Sequence, residues 1–163
     1  MTKLSELLVE DRVLLSQNIA SKKRVLELLS ESISDTVPQI TSAEIFDCLI
    51  SRERLGSTGL GHGVAIPHGR LKNVSQPVAA FLKLEAGIDY DAIDGQTVDL
   101  FYALLVPEQS TEEHLHILAM LAEMFSDSEL CARLRAAKSK TEIHTLLMNW
   151  QPDVRQVASR AHS

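Results

Sequence analysis

Apolar residues recur three or four positions apart after Ser21, Thr41, Ser110 and Ser139, which is the spacing of one face of an α-helix. A Ser or Thr followed three residues later by Glu forms a capping box at a helix N-terminus. This pattern occurs at Thr41/Glu44, Ser110/Glu113, Ser126/Glu129 and Ser139/Glu142. The sequence therefore predicts four helices from capping boxes and a fifth that begins near Ser21.

The residues expected on the buried faces of these helices are aliphatic or aromatic. They are Val25, Leu28 and Leu29 after Ser21, Ile45, Phe46, Leu49 and Ile50 after Thr41, Ile117, Leu118, Leu121 and Phe125 after Ser110, and Ile143, Leu146 and Leu147 after Ser139. Stripes of this kind are typical of a hydrophobic core. We interpret them as packing surfaces, not as a cofactor site.

Between residues 56 and 109 the pattern changes to short continuous apolar runs that are typical of strands. Val78–Leu84 and Val98–Val106 are bounded by Pro and Gly and are predicted to be strands. A shorter strand is predicted at Val64–Ile66, and Arg12–Leu15 is a candidate edge strand. Helices before and after a central block of strands indicate one α/β domain with a sheet covered on both faces.

The composition fits a single globular domain. The chain has 163 residues, 45% of them hydrophobic and 23% charged, with a formal net charge of −6. An acidic balance disfavours nucleic acid as a direct ligand. No apolar run approaches the ~18 residues needed for membrane insertion, so we expect a cytoplasmic protein. We assign residues 1–150 to the domain and 151–163 to a polar, flexible C-terminal tail.

Two cysteines, Cys48 and Cys131, are far apart and belong to no CxxC pair. We expect both to be buried, reduced thiols. No Cys or acidic residue completes a metal-ligand motif beside His68, and a His-x-His pair on a helix points its side chains apart. The sequence therefore predicts neither a metal nor a cofactor. A serine hydrolase is also disfavoured, since no G-x-S-x-G elbow occurs.

Five of the seven glycines lie between residues 56 and 69. Such a cluster allows backbone N–H groups to approach an anion, but it also fits a loop of tight turns. The two interpretations remain open at this point. The known phosphate-binding loops are not matched, because His62 follows Gly61 where a Walker loop requires Lys and then Ser or Thr.

Two histidines could carry chemistry. His68 lies between Pro67 and Gly69 after the short apolar strand, where one ring nitrogen can bind a backbone carbonyl while the other faces solvent. Taken alone, such a histidine is more often structural than catalytic. His114 falls in the first turn of a predicted helix, where the helix dipole disfavours imidazolium. We favour His114 over His116 because His114 aligns with the buried face.

Three segments together resemble the type-2 IIA domains of the bacterial phosphotransferase system. They are Arg52–Arg70, Leu104–Pro107 and His114–His116. The resemblance runs from about Leu4 to Leu147. Within the family, Asp91–Gln96 and Cys131–Ala137 are similar to the nitrogen-regulatory subgroup.

The resemblance implies a small mixed β-sheet flanked by helices on both faces. It also implies roles for individual residues: His68 as the phosphoryl acceptor, His114 as the second histidine, and Arg52 near the phosphoryl group. The chemistry of phosphoryl transfer needs hydrogen-bond donors to the phosphoryl oxygens, and the loop amides near Gly59, Gly61 and Gly63 can supply them. The implied phosphoryl donor is a small histidine phosphocarrier. His62 departs from the family pattern, where we expect a small polar residue such as Asn, and it is expected to add a titratable group near the site.

Two functions compete on this basis. One is a phosphohistidine carrier that regulates target proteins, such as transporters or sensor kinases, through its phosphorylation state. The other is a sugar-transport IIA component of the fructose or mannitol type that passes the phosphoryl group to a IIB domain. The subgroup resemblance favours regulation. A structural binding module would leave the histidines and the glycine cluster unexplained.

Overall fold

The computed structural model describes residues 3–16 and 18–152, and these form a six-stranded mixed sheet with five α-helices. In chain order the elements are β1 (Val13–Ser16), α1 (Lys22–Thr36), α2 (Ser42–Arg54), β2 (Gly59–Gly61), β3 (Val64–Ala65), β4 (His68–Leu71), β5 (Val78–Ile88), β6 (Val98–Pro107), α3 (Thr111–Phe125), α4 (Ser128–Ala136) and α5 (Lys140–Asn149). Short 3₁₀ turns at Leu4–Glu6 and Glu10–Arg12 precede β1.

The sheet has the order β1-β5-β6-β3-β2, and β4 also pairs with β6. β5 and β6 are antiparallel, whereas β1 is parallel to β5, and β3 and β4 are parallel to β6. β3 lies along the start of β6 and β4 along its end, where His68 is level with Leu104. The end of β6 thus fixes the position of His68.

Each face of the sheet carries its own core. Leu104 and Val106 belong to a cluster with residues of α3, α4 and α5, while Ala103 and Leu105 belong to a cluster with residues of α1 and α2. The alternation follows from the two-residue period of a strand. The predicted fold class, a single α/β domain with a small mixed sheet flanked by helices on both faces, is confirmed.

Local capping chemistry sets the helix starts. The Ser21, Thr41 and Ser139 hydroxyls accept hydrogen bonds from the backbone N–H three residues later, as predicted. Ser110 is also an N-cap residue, although its hydroxyl makes no capping bond.

One predicted cap is wrong. Ser126 ends α3, and its hydroxyl donates to the Glu123 carbonyl. The neighbouring Asp127 caps α4 instead, because its carboxylate accepts from the N–H groups of Glu129 and Leu130. Ser126 and Asp127 are both suitable N-cap residues, but the carboxylate of Asp127 interacts more favourably with the positive end of the helix dipole.

The strands differ from the prediction in several places. β5 extends to Ile88, and Arg12 lies in a 3₁₀ turn before β1 instead of within the strand. β2 lies within the glycine cluster, where no strand was predicted. His68 follows β3 after two residues, as predicted, but it also begins β4, which was not predicted and forms because its backbone pairs with the end of β6.

Two burial predictions need correction, and the predicted tail is largely not described. In α1, Leu26 is fully buried and Leu28 only half-buried. Cys131 is buried, whereas Cys48 is half-buried; both are free thiols. The predicted tail falls mainly on residues 153–163, which lie outside the described residues. Among the described helices, none is long and apolar enough to cross a membrane.

Candidate functional site

An open groove of about 840 Å³ lies between α2, the strand β4 and the N-terminal part of α3. Its walls contain both favoured histidines and two arginines. The lining residues are Glu44, Asp47, Cys48, Ser51, Arg52, Leu55, His68, Gly69, Arg70, Leu71, Thr111, His114, Leu115 and Leu118. Three segments that are distant in sequence thus meet at one site.

The tautomer of His68 is set by a local hydrogen bond. Its Nδ1 lies 2.7 Å from the carbonyl oxygen of Ile66, and a carbonyl can only accept, so Nδ1 carries the proton. The lone pair is then on Nε2. Burial lowers the pKa of His68 below its ordinary value, the bond to Ile66 opposes this shift, and Arg52 adds to it. His68 therefore presents a neutral, nucleophilic Nε2 at pH 7.

His114 stands beside this ring, with a centroid separation of 5.2 Å and an interplanar angle of 70°. Burial, followed by the charges of His68, Arg70 and Arg52, lowers its pKa to about 4. The neutral state predicted from the helix position agrees with this value, but burial is the larger cause. His116 is exposed and does not line the groove.

The Nε2 atom of His114 is buried, and no hydrogen-bond partner for it occurs among residues 3–16 and 18–152. A buried polar nitrogen without a partner costs on the order of 1–3 kcal/mol. Such atoms are uncommon, and in a groove beside a nucleophile they indicate a group that binds there during function. An anionic oxygen could accept a hydrogen bond from this nitrogen.

Arg52 comes from the last turn of α2. Its Nη1 donates to the carbonyl oxygen of Gly56 at 2.9 Å, which ties the guanidinium to the loop that leaves the helix. Its charge lowers the pKa of both His68 and His114, so it acts at the histidine pair. The structure thus brings together three of the predicted site residues.

Arg70 and Thr111 also line the groove but were not predicted from the sequence. Arg70 Nη1 donates to Thr111 Oγ1 at 2.8 Å. The strand period offered a signal for Arg70, since residues 68 and 70 share one face of β4. Thr111 had no comparable signal, because 41 residues separate it from Arg70.

A buried carboxylate next to Arg52 was missed as well. Glu53 is 6% exposed and forms a salt bridge with Lys22 Nζ at 2.9 Å. It also accepts hydrogen bonds from the Tyr90 hydroxyl at 2.8 Å and from the backbone and hydroxyl of Thr58. This network joins the end of α2 to the following loop. No sequence pattern pairs residues 53 and 90, so only the fold reveals it.

The predicted glycine donors lie among other neighbours. A Cβ on Gly61 would meet Asp94, one on Gly63 would meet Arg135 and Asp99, and one on Gly59 would meet Ala92. None of the three glycines lines the groove of His68. Their role as hydrogen-bond donors to the phosphoryl oxygens stays a prediction, and these contacts do not favour it.

His62 lies in a different place from that expected. It occupies the turn between β2 and β3 with φ of 56°, a left-handed conformation in which Asn, Asp and His are enriched. Its N–H donates to Asp94 and its carbonyl accepts from Arg135. The expectation of a titratable group near the site is wrong for His62, because the turn is not part of the groove.

Gly69 permits close packing of α2 on β4. Gly69 follows His68 in β4 and therefore faces the other side of the sheet, towards Cys48. A Cβ on Gly69 would lie 2.3 Å from Cys48 Sγ. No other glycine of the described chain would meet a heavy atom so closely. The absent side chain at residue 69 therefore sets the distance between α2 and the histidine strand.

We expect Gly69→Ala to lower the free energy of unfolding by about 1–3 kcal/mol, the usual cost of overpacking. The added methyl group must displace Cys48 and with it α2. Urea unfolding measures the loss of stability. The double variant Cys48→Ala/Gly69→Ala removes the clashing sulfur and should recover most of the loss relative to Cys48→Ala. Equal stability of Gly69→Ala and wild type would contradict the argument.

Within the described residues, no group of three or more His, Cys, Asp or Glu side chains is arranged to hold a metal ion. The histidine pair itself faces arginines, which repel cations. The groove combines a nucleophilic imidazole, a second imidazole with an unpartnered nitrogen and two guanidinium groups. This combination suits the binding of an anionic group beside a nucleophilic nitrogen atom.

The fold and the groove define a small α/β protein with a histidine pair at the end of the central strand. The chain belongs to the family described as phosphoenolpyruvate-dependent sugar phosphotransferase system, EIIA 2, whose model matches residues 6–150. The resemblance stated from the sequence motifs is thereby confirmed.

Individual relatives support the same placement. The chain is 41% identical over 151 residues to a nitrogen regulatory protein of Pseudomonas aeruginosa, with 93% of this chain and 98% of the relative covered. The crystal structure of the nitrogen regulatory protein IIA-Ntr from Neisseria meningitidis matches with a TM-score of 0.82 and 39% identity, covering 88% of this chain and 98% of that one.

A sugar-related member of the family is also similar. A fructose-specific EIIA component of Haloferax volcanii is 31% identical over 147 residues, with 90% of this chain and 96% of the relative covered.

Proposed function

We propose that the protein is a phosphohistidine carrier of the nitrogen-related phosphotransferase system, which accepts a phosphoryl group on Nε2 of His68. The observation that carries the proposal is the hydrogen bond from His68 Nδ1 to the Ile66 carbonyl. It leaves Nε2 as the free nucleophile in a groove shared with His114 and Arg52. The proposed donor is a histidine phosphocarrier protein.

The transfer exchanges one nitrogen–phosphorus bond for another. The lone pair of His68 Nε2 forms the new bond, while the electron pair of the breaking bond returns to the donor imidazole. The transition state is loose and carries its charge on the equatorial oxygens, so catalysis requires alignment and donors rather than a strong base. The depressed pKa of His68 keeps the ring nucleophilic at neutral pH.

Arg52 and His114 supply interactions that strengthen on phosphorylation. The guanidinium of Arg52 can hydrogen-bond phosphoryl oxygens in addition to the Gly56 carbonyl. The buried Nε2 of His114 gains an acceptor when an anionic oxygen lies on the neighbouring ring. Both interactions favour the phosphorylated state over the free state, since neither has an equivalent partner before transfer.

The proposal is tested by incubating the protein with phosphoenolpyruvate, enzyme I and the purified histidine phosphocarrier. We expect one phosphoryl group per chain, labile in acid and stable in base, located on His68 by ³¹P NMR and peptide mapping. Omitting the phosphocarrier provides the control. A stable phosphoester, or no label at all, would refute a phosphohistidine carrier.

We expect His114→Ala to slow phosphoryl acceptance by about ten- to a hundredfold without preventing it, because a hydrogen bond to a charged group contributes ~1.5–3 kcal/mol. Rapid-quench measurement with the phosphorylated phosphocarrier as donor gives the rate. Complete loss of labelling with an unchanged melting temperature would instead make His114 the acceptor and reverse the two roles.

Regulation is favoured over sugar transport as the use of the phosphoryl group. The two nitrogen regulatory relatives are 41% and 39% identical, against 31% for the fructose-specific component. A phosphoryl group adds about −1.5 to −2 charge at the groove, which is sufficient to disrupt or create an interface with a target.

The two uses differ in what happens after phosphorylation. Affinity capture with wild type, His68→Ala and the charge-bearing His68→Asp should retain target proteins that prefer one state. The phosphorylated protein is also incubated with fructose- and mannitol-type IIB domains. Rapid transfer to a IIB domain together with identical capture by all three forms would establish the sugar-transport alternative.

A further inference from the structure

A second guanidinium group faces the same side of the sheet as His68. Residues 68 and 70 are separated by one position in β4, and they pair with Leu104 and Val106, which both belong to the core under α3 to α5. Arg70 therefore leaves the strand on the same side as the reactive ring. Arg52 approaches from α2, so the two arginines come from different elements.

The Arg70 side chain is oriented by the start of α3. Its Nη1 donates to Thr111 Oγ1 at 2.8 Å, and Thr111 is the first residue of that helix. His114 follows one turn later, so one helix end carries both the anchor of Arg70 and the second histidine. This bond uses only one of the five guanidinium N–H groups.

The charge of Arg70 acts at the histidine pair. After burial and His68, it is the next cause of the low pKa of His114. None of the salt bridges found among residues 3–16 and 18–152 involves Arg52 or Arg70. Other arginines, such as Arg133 and Arg135, are instead neutralised by carboxylates.

We propose that Arg70 is a second phosphoryl-binding residue, held in position by Thr111, and that it increases the share of the phosphoryl group retained on His68 at equilibrium with its donor. The proposal rests on the proposed function, which supplies the phosphoryl group. Arg70 contacts the transferred oxygens, and Thr111 is a positioning residue that acts through Arg70.

The physical reason is the added negative charge of the product. A phosphohistidine dianion beside two guanidinium groups is more stable than one beside Arg52 alone, because Arg70 can donate to an oxygen that Arg52 does not reach. Arg70 is exposed, so solvent screens its charge. We therefore expect an effect of about fivefold to tenfold, smaller than that of the half-buried Arg52.

The test compares Arg70→Gln with Arg54→Gln. Both variants remove one exposed positive charge, but Arg54 does not line the groove. The equilibrium constant for transfer of the phosphoryl group from the phosphorylated histidine phosphocarrier to this protein is measured by quenching the reaction and separating the proteins on a gel. We expect a fivefold to tenfold decrease for Arg70→Gln and no more than twofold for Arg54→Gln. Equal values for the two variants would overturn the proposal.

Thr111 provides the test of positioning. Thr111→Val keeps the shape but removes the acceptor of the Arg70 bond, so part of the loss should appear, while Thr111→Ser should restore the wild-type value. In the double variant Thr111→Val/Arg70→Gln, the loss should not exceed that of Arg70→Gln alone. Additive losses would show that Thr111 acts independently of Arg70 and would refute this part.

A second readout separates charge from folding. NMR titration of His114 in the free protein should show a higher pKa in Arg70→Gln than in wild type, because a repelling cation is removed. Arg54→Gln should leave it unchanged. An unchanged His114 pKa in Arg70→Gln would place the guanidinium away from the histidine pair.

The failure of this proposal is distinguishable from failure of the proposed function. If wild type is not phosphorylated on a histidine, the carrier function itself is wrong. If wild type is phosphorylated and Arg52→Ala transfers slowly while Arg70→Gln matches Arg54→Gln, the carrier function stands and only the second guanidinium is refuted.

Discussion

Replacing His68 with Ala should abolish phosphorylation by the phosphoenolpyruvate relay and leave the fold intact. The ring is half-buried at the start of β4, and its hydrogen bond is to Ile66 only two residues away. Removing it therefore deletes the nucleophile without disconnecting distant elements. Labelling with ³²P-phosphoenolpyruvate measures acceptance, and thermal unfolding reports the fold.

His116→Ala is the matched control, because His116 lies exposed on α3 and outside the groove. It should label at the wild-type rate. Acid-labile phosphate on His68→Ala at the wild-type level would mean that another histidine is the acceptor.

Arg52→Ala should slow phosphoryl acceptance by about ten- to a hundredfold with little change in stability. A hydrogen bond between a guanidinium and an anion contributes ~1.5–3 kcal/mol, and Arg52 is the cation whose charge reaches both histidines. Arg52→Lys should recover only part of the rate, since an ammonium lacks the planar pair of donors. Stopped-flow or rapid-quench transfer from the phosphocarrier gives these rates.

Arg54→Ala serves as the control here, because Arg54 occupies the same last turn of α2 but is exposed and outside the groove. Loss of the Arg52 bond to the Gly56 carbonyl should cost little stability, since that oxygen is exposed to water. Transfer by Arg52→Ala at the wild-type rate would remove this arginine from the site.

The two histidines and Arg52 were found from motifs, whereas Arg70, Thr111 and Glu53 were not. The motif includes both His68 and its hydrogen-bond partner, the carbonyl of Ile66, which lies only two residues before it. Thr111 and Glu53 act through partners 41 and 37 residues away. These contacts form only when β4 meets the start of α3 and when the end of α2 packs against the segment after β5.

The glycine cluster shows the limit of motif reasoning most clearly. Glycine density left two interpretations open, a set of amides around an anion and a loop of tight turns. The fold uses Gly69 to admit Cys48 and directs Gly61 and Gly63 towards Asp94 and Arg135. The pairing of the strands decides the neighbours of each glycine. The sequence pattern predicted neither β2 nor β4, so it could not predict these neighbours.

The sequence by itself determined the features that depend on neighbours a few residues apart. The caps at Ser21, Thr41 and Ser139, the apolar runs of β5 and β6, and the neutral tautomer of His68 all depend on bonds or spacings of that length. Only the tertiary structure decided that β4 pairs with the end of β6 and that α2 and α3 meet there. The reason is physical: burial and distant charges set the pKa of His114, and both exist only after the sheet has assembled.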